Sequence, residues 1–109
     1  LEPQYNSKQF ATFLINKGIA EALVERIRTR MTELNERIAN DASLGNGYRI
    51  GHSFFCSLDE QTGGNEEWYQ QVINYEIRPL LEEYWFDKPD RPNECVNDLL
   101  RGDDDNPNP

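Results

Sequence analysis

The sequence predicts an all-α fold, a small four-helix bundle with at most one short extended segment. Two amphipathic stretches and one absence carry this expectation. Ile19, Leu23, Val24, Ile27, Met31, Leu34 and Ile38 fall on one face of about 140° when successive residues turn by about 100°. Trp68, Val72, Ile73, Ile77, Leu80, Leu81 and Tyr84 supply a second, wider apolar arc. Apart from Tyr48-Arg49-Ile50, no run alternates apolar and polar residues as a half-buried strand does.

The elements follow in order. Asn6-Ser7 offers side-chain oxygens for a helix start and Gly18 a stop, with Phe10, Phe13 and Leu14 at helical spacing between them, so a first helix is expected near 7–17. The second runs from about Ile19 to Asn40, its outer faces carrying Glu21, Glu25, Thr29, Thr32, Glu33 and Glu36. Arg26, Arg28, Arg30 and Arg37 cluster on it, interleaved with acids that can pair with them along the helix. Arg30 and Arg37 flank the apolar stripe, where they could instead meet another domain or subunit.

Asp41 to Gly47 is rich in Asp, Ser, Asn and Gly and reads as a turn-rich connection. Tyr48-Arg49-Ile50 is expected to be extended until Gly51 interrupts it, after which Ser53 caps a short helical turn through Phe54 and Phe55. Ser57 to Gly64 is expected to be a loop. Asn65 caps the next helix, and Glu66 and Glu67 suit the positive end of its dipole. Pro79 lacks an N–H and disfavours helical geometry at Arg78, which predicts a kink or break. A Pro-bracketed loop from Asp87 to Pro92 leads to a last helix from Asn93 to Arg101.

With 109 residues the chain suits one domain, which buries roughly 60–70% of its unfolded surface. Residues 1–102 are expected to form that domain, and 103–109, Asp-Asp-Asp-Asn-Pro-Asn-Pro, a disordered tail. The net charge is −9. An acidic surface keeps a protein soluble and repels phosphate backbones, so direct nucleic-acid binding is disfavoured. Cys56 and Cys95 have no second Cys or His at ligand spacing, which argues against zinc; free thiols in a reducing cytoplasm are expected, with one disulfide as the alternative. No apolar run approaches the ~18 residues of a membrane span. Leu1 in place of a methionine suggests an excised piece.

Several residues invite a chemical reading beside a structural one. His52, the sole histidine, sits between Gly51 and Ser53 at a probable helix start, where backbone N–H groups favour an anion. Gly51-His52-Ser53 can therefore face a nucleotide, or His52 can make a local hydrogen bond and pack with neighbouring aromatics. Arg49 can point to a nucleotide or a neighbouring subunit, or form a surface ion pair. Glu76 falls inside the apolar arc, where a carboxylate needs a partner unless the helix turns it into water. Trp85-Phe86 after Tyr84 is more aromatic surface than one small core needs, which suggests a contact patch. No phosphate-cradling Gly-x-x-x-x-Gly-Lys-Ser/Thr string and no triad-like spacing is present, so the chain is not expected to be catalytic by itself.

Three strings, Leu34-Asn35, Ile50-Gly51-His52-Ser53-Phe54-Phe55, and Glu76-Ile77-Arg78-Pro79-Leu80-Leu81-Glu82-Glu83-Tyr84 with Asp87 after it, resemble the C-terminal lid of McrB-like AAA+ motors. The resemblance covers roughly Ile19 to Leu100. It implies a lid over GTP or ATP with magnesium, in a ring of like subunits that works with a McrC-like endonuclease on DNA carrying modified cytosine, DNA being reached only through other domains. The phosphate loop, magnesium acid and arginine finger of such a motor would lie upstream of Leu1. In related lids a nucleotide-sensing arginine follows the glycine-small-serine string. Here Phe54-Phe55 stand there, which makes Arg49, Gly51, His52 and Ser53 the cofactor-facing candidates. Arg30, Glu76, Pro79, Tyr84 and Trp85 are the interface or structural candidates. A free-standing helical interaction module and the lid of an ATP-using motor unrelated to restriction are the competing expectations.

Overall fold

Helix α1 (Lys8–Asn16) starts at Ser7, whose Oγ accepts from the Gln9 and Phe10 amides at 3.1 and 3.4 Å. It stops at Gly18, which takes φ +94°, a conformation that costs a side-chain-bearing residue energy. The Gly18 amide donates to the Ile15 carbonyl (3.0 Å) and the Ile19 amide to that of Leu14 (3.2 Å), so the last carbonyls of the helix are satisfied by a Schellman-type closure. That closure uses up Ile19, and Ala20 is extended, so α2 is Glu21–Ala39, two residues later at its start than expected. The whole expected stripe, from Ile19 to Ile38, is buried.

A computed structural model describes residues 4–56 and 65–101, without the side chain of Ser53. The expected 57–64 loop and the 103–109 tail lie outside the described residues. Among those described there is no strand. Tyr48 belongs to a single 3-10 turn, Asn46–Tyr48, and only Arg49 (φ −59°, ψ 144°) begins the extended run toward Gly51. Gly45 at φ +90° opens that turn. The next 3-10 turn, His52–Phe55, includes His52 and is too short for a helix dipole.

Asn65 caps α3 (Glu66–Val72) as expected, its Oδ1 accepting from the Trp68 amide at 3.1 Å. The expected break at Pro79 is not there. The chain continues through a π-helical turn, Ile73–Ile77, into α4 (Arg78–Tyr84), and Arg78 keeps helical dihedrals (φ −55°, ψ −49°). A proline ring normally meets the carbonyl four residues earlier; widening the turn just before it relieves that clash without ending the helix. The extra residue also shifts the helical wheel, and Glu76 emerges exposed rather than inside the arc, while Ile73 and Ile77 stay buried.

Helix α5 is Asp90–Leu100, three residues earlier than expected, with Pro92 in its first turn. The first N–H groups of a helix have no internal partner, so proline is tolerated there. Counting α3, the π turn and α4 as one, four helices among the described residues enclose the core, with α2 packed on α1 and α5, and α5 on α4 and the π turn. Tyr69, Phe55 and Trp85 are the largest side chains sealed inside.

Candidate functional site

Residues 40–56, which follow α2, form only short 3-10 turns and irregular chain, so side chains must hold them. Asn35, buried on α2, does this with its amide: Nδ2 donates to the Ile50 carbonyl (3.0 Å) and Oδ1 accepts from the Ile50 amide (2.7 Å). One side chain thus satisfies both backbone groups of a buried residue, as a paired strand would. On the far side, the Tyr5 hydroxyl donates to the Gly51 carbonyl at 2.6 Å. Burial pushes the Tyr5 phenol far above its ordinary range, so it stays a neutral donor.

These two anchors present Arg49, Gly51 and His52 along one stretch of surface. Arg49 is half-buried; its Nε donates to the Asn46 carbonyl at 3.1 Å. It lines a cleft of about 260 Å³ with Tyr5, Asn6, Thr32, Asn35 and the Glu36 carboxylate. His52 is also half-buried and lines a different cleft, of about 270 Å³, with Gln4, Ser7, Phe10, Phe13 and Cys56. Its ring packs edge-on against Phe10 and Tyr5, at centroid distances of 5.5 and 6.4 Å, rather than against Phe54 or Phe55. Its Nδ1 accepts from the Gln4 amide at 3.2 Å. Neither cleft is enclosed. The side chain of Ser53 lies outside the described residues.

Arg30 is half-buried. Its guanidinium donates to the Asp98 carbonyl, while Arg26 donates to the Leu100 carbonyl (3.2 Å) and the Tyr69 hydroxyl to that of Leu99 (2.6 Å). Side chains from α2 and α3 therefore satisfy the unpaired carbonyls at the C-terminus of α5, and the two arginines complement its negative end. Arg26 also bridges Glu66 at 2.5 Å and lies over the Tyr69 ring, 4.9 Å from its centroid. Arg37 donates to Cys95 Sγ (3.0 Å) and pairs with Asp98 at 3.5 Å. Burial nevertheless pushes the Cys95 thiol up, so it is a packed, unreactive group. Both cysteines are free thiols.

Trp85 is buried, and its Nε1 donates to Asp41 Oδ2 at 2.8 Å. Arg91 donates to the same oxygen at 3.1 Å and lies over the indole, 5.5 Å from its centroid. Tyr84 is half-buried and meets Tyr48 edge-on at 5.2 Å. Phe86 and Tyr75 stand 82% and 76% exposed, so the expected aromatic surplus divides between a buried anchor and two outward rings. Tyr5, Asn35 and Asp41 were not singled out from the sequence. Their distant partners leave no local signal: the Trp85 indole is 44 positions from Asp41, and the Gly51 carbonyl 46 from Tyr5. Asn35 did carry one, a polar residue beside Leu34 in a string already quoted for its resemblance.

Residues 26–93 match the family model described as McrB, alpha-helical lid domain. Over 102 residues the chain is 41% identical to the type IV methyl-directed restriction enzyme EcoKMcrB subunit of Escherichia coli strain K12. That similarity covers 92% of this chain and 22% of the relative, so the chain spans about a fifth of the relative's length.

Proposed function

This chain belongs to the family of McrB α-helical lid domains, and from that premise we propose that it covers the nucleotide of a McrB-like AAA+ motor and relays closure from one subunit of a ring to the next. The observation that carries the reading is the placement of Arg49 and His52. They flank Gly51 at the mouths of two open clefts, on a stretch pinned from both sides by Asn35 and Tyr5. A guanidinium always carries charge, and an imidazole whose Nδ1 accepts a hydrogen bond carries its proton on Nε2 when neutral. Two donors on one firm stretch suit an anionic, phosphate-bearing ligand such as GTP or ATP.

They do not suit magnesium. Among the described residues no group of three or more His, Cys, Asp or Glu stands together. On this reading the domain contributes binding and closure, and the metal and the hydrolytic groups are supplied by other parts of the whole protein. Relaying closure requires a unit that moves as one body. The Asp41 node and the side chains closing the end of α5 supply that rigidity, while exposed Phe86 and Tyr75 offer contacts to the rest of the assembly. In the whole protein the partners are neighbouring subunits and a McrC-like endonuclease, as the relative's place in a restriction system suggests.

The test is nucleotide affinity in the whole protein carrying Arg49→Ala or His52→Ala. Losing one hydrogen bond to a charged group weakens binding by about 10–100-fold. The reading expects a rise in Kd of that order for at least one of GTP and ATP, with the fold retained. Unchanged affinity in both variants would contradict it.

A further inference from the structure

The stretch that faces the clefts also grips the segment entering α1. Gln4, Tyr5 and Asn6 have no helix or sheet to satisfy their backbone groups. The Tyr5 and Asn6 carbonyls are taken by Arg28, through Nε at 2.9 Å and a terminal nitrogen at 3.2 Å. The Tyr5 hydroxyl is tied to Gly51, and the Gln4 amide is tied to His52 Nδ1. Of these ties, three use groups that keep one protonation state across the physiological range. The fourth does not. An imidazole nitrogen that accepts a hydrogen bond is by necessity unprotonated, and the imidazolium has donors at both nitrogens and no acceptor.

We propose that His52 is a proton-sensitive clasp, closed on the Gln4 amide when the ring is neutral and opened when it is protonated, so that the grip of the nucleotide-facing stretch on the segment leading into α1 depends on pH. Protonation turns an attractive contact into two N–H groups facing each other, and the half-buried ring must rotate or leave the edges of Phe10 and Tyr5. Among the described residues, the cleft lining offers the extra proton no counter-charge. The cleft lining contributes the Ser7 hydroxyl and the Gln9 amide from α1, and the Cys56 thiol, which burial pushes up and keeps neutral. The Tyr5 phenol is likewise held neutral by burial. Lys17 lies over the ring of Phe13, which lines the cleft, with its Nζ 5.5 Å from the centroid. No carboxylate lines the cleft among the described residues.

The clasp stands on geometry within this chain and not on the nucleotide reading, so it is tested without nucleotide. Long-range nitrogen–proton correlation on the chain at about pH 8, where an ordinary imidazole is neutral, should show Nδ1 of His52 unprotonated and Nε2 bearing the proton. The opposite tautomer would overturn the proposal. Amide exchange of Gln4, corrected for intrinsic rates, should lose about tenfold in protection between about pH 8 and pH 5, as the loss of one ordinary hydrogen bond implies. In His52→Asn, whose Oδ1 can accept where Nδ1 did and cannot titrate, protection should persist at both values. In His52→Leu it should be absent at both. Equal protection of wild type at the two pH values, or a pH response surviving in His52→Asn, would overturn the clasp.

Discussion

Asp41 accepts hydrogen bonds from the Ser43 hydroxyl and amide, at 2.6 and 2.8 Å, and from Trp85 and Arg91, which tie the end of α2 to the end of α4 and the start of α5. Those donors, the Ser43 hydroxyl first and the indole next, hold its carboxyl well below the usual carboxylate range. A carboxyl depressed on folding adds stability above its unfolded pKa, near 3.9, and loses it as pH falls further toward the folded value. Asp41→Asn is therefore expected to lower the melting temperature at about pH 7, and the gap to wild type should shrink as acid is added below about pH 4. A gap that stays constant to about pH 2 would assign the loss to packing instead. Asn35 allows a sharper test. Asn35→Leu leaves both the amide and the carbonyl of buried Ile50 unpaired, and urea unfolding should show a loss of about 2–4 kcal/mol, the sum for two orphaned polar groups. Of the two roles, only that of Asn35 left a trace in the sequence, a polar residue beside the apolar stripe. Asp41 was read as one more turn residue, because a hydrogen bond to an indole 44 positions away leaves no periodicity behind.

At the scale of elements, most of the helices were legible because their signals are local. Ser7, Gly18 and Asn65 each cap or stop a helix through bonds to residues within five positions, and the α2 stripe repeats at helical spacing. Gly18→Ala should cost about 1–2 kcal/mol in thermal or urea unfolding, since alanine resists the left-handed dihedrals that Gly18 holds at φ +94°. A neutral result would mean the turn relaxes to another geometry. What misled was proline. The sequence predicts a kink or break at Pro79 and a loop up to Pro92, and both prolines lie within helices. One is accommodated by a widened turn and the other by a helix start, and in each case buried neighbours on both sides, Ile77 with Leu81 and Pro92 itself with Cys95, hold the helix to the core. Local propensity yields there to tertiary burial. The fate of Glu76 followed from the same shift, since a wheel drawn at a constant turn cannot anticipate one extra residue.

For the whole molecule, the strings that first suggested a McrB-like lid meet in space. Asn35, from the first, binds Ile50, from the second, and Trp85, next to the third, is bonded through Asp41 to the end of α2. Their spacing in sequence is the trace of one packed body whose irregular stretch, Arg49 to His52, is anchored by buried Ile50 with Arg49 and His52 half-buried on either side. The net charge of −9 disfavours contact with nucleic acid, and the proposed function assigns phosphate to the donors at that stretch. The central claim is that this stretch covers nucleotide in the assembled motor. Hydrogen–deuterium exchange of the whole protein, with and without a non-hydrolysable GTP or ATP analogue, tests it most directly. Peptides spanning residues 48–55 should exchange more slowly with nucleotide bound, while those within α5 stay unchanged. Identical exchange across 48–55 in the two states, at saturating nucleotide, would contradict the account.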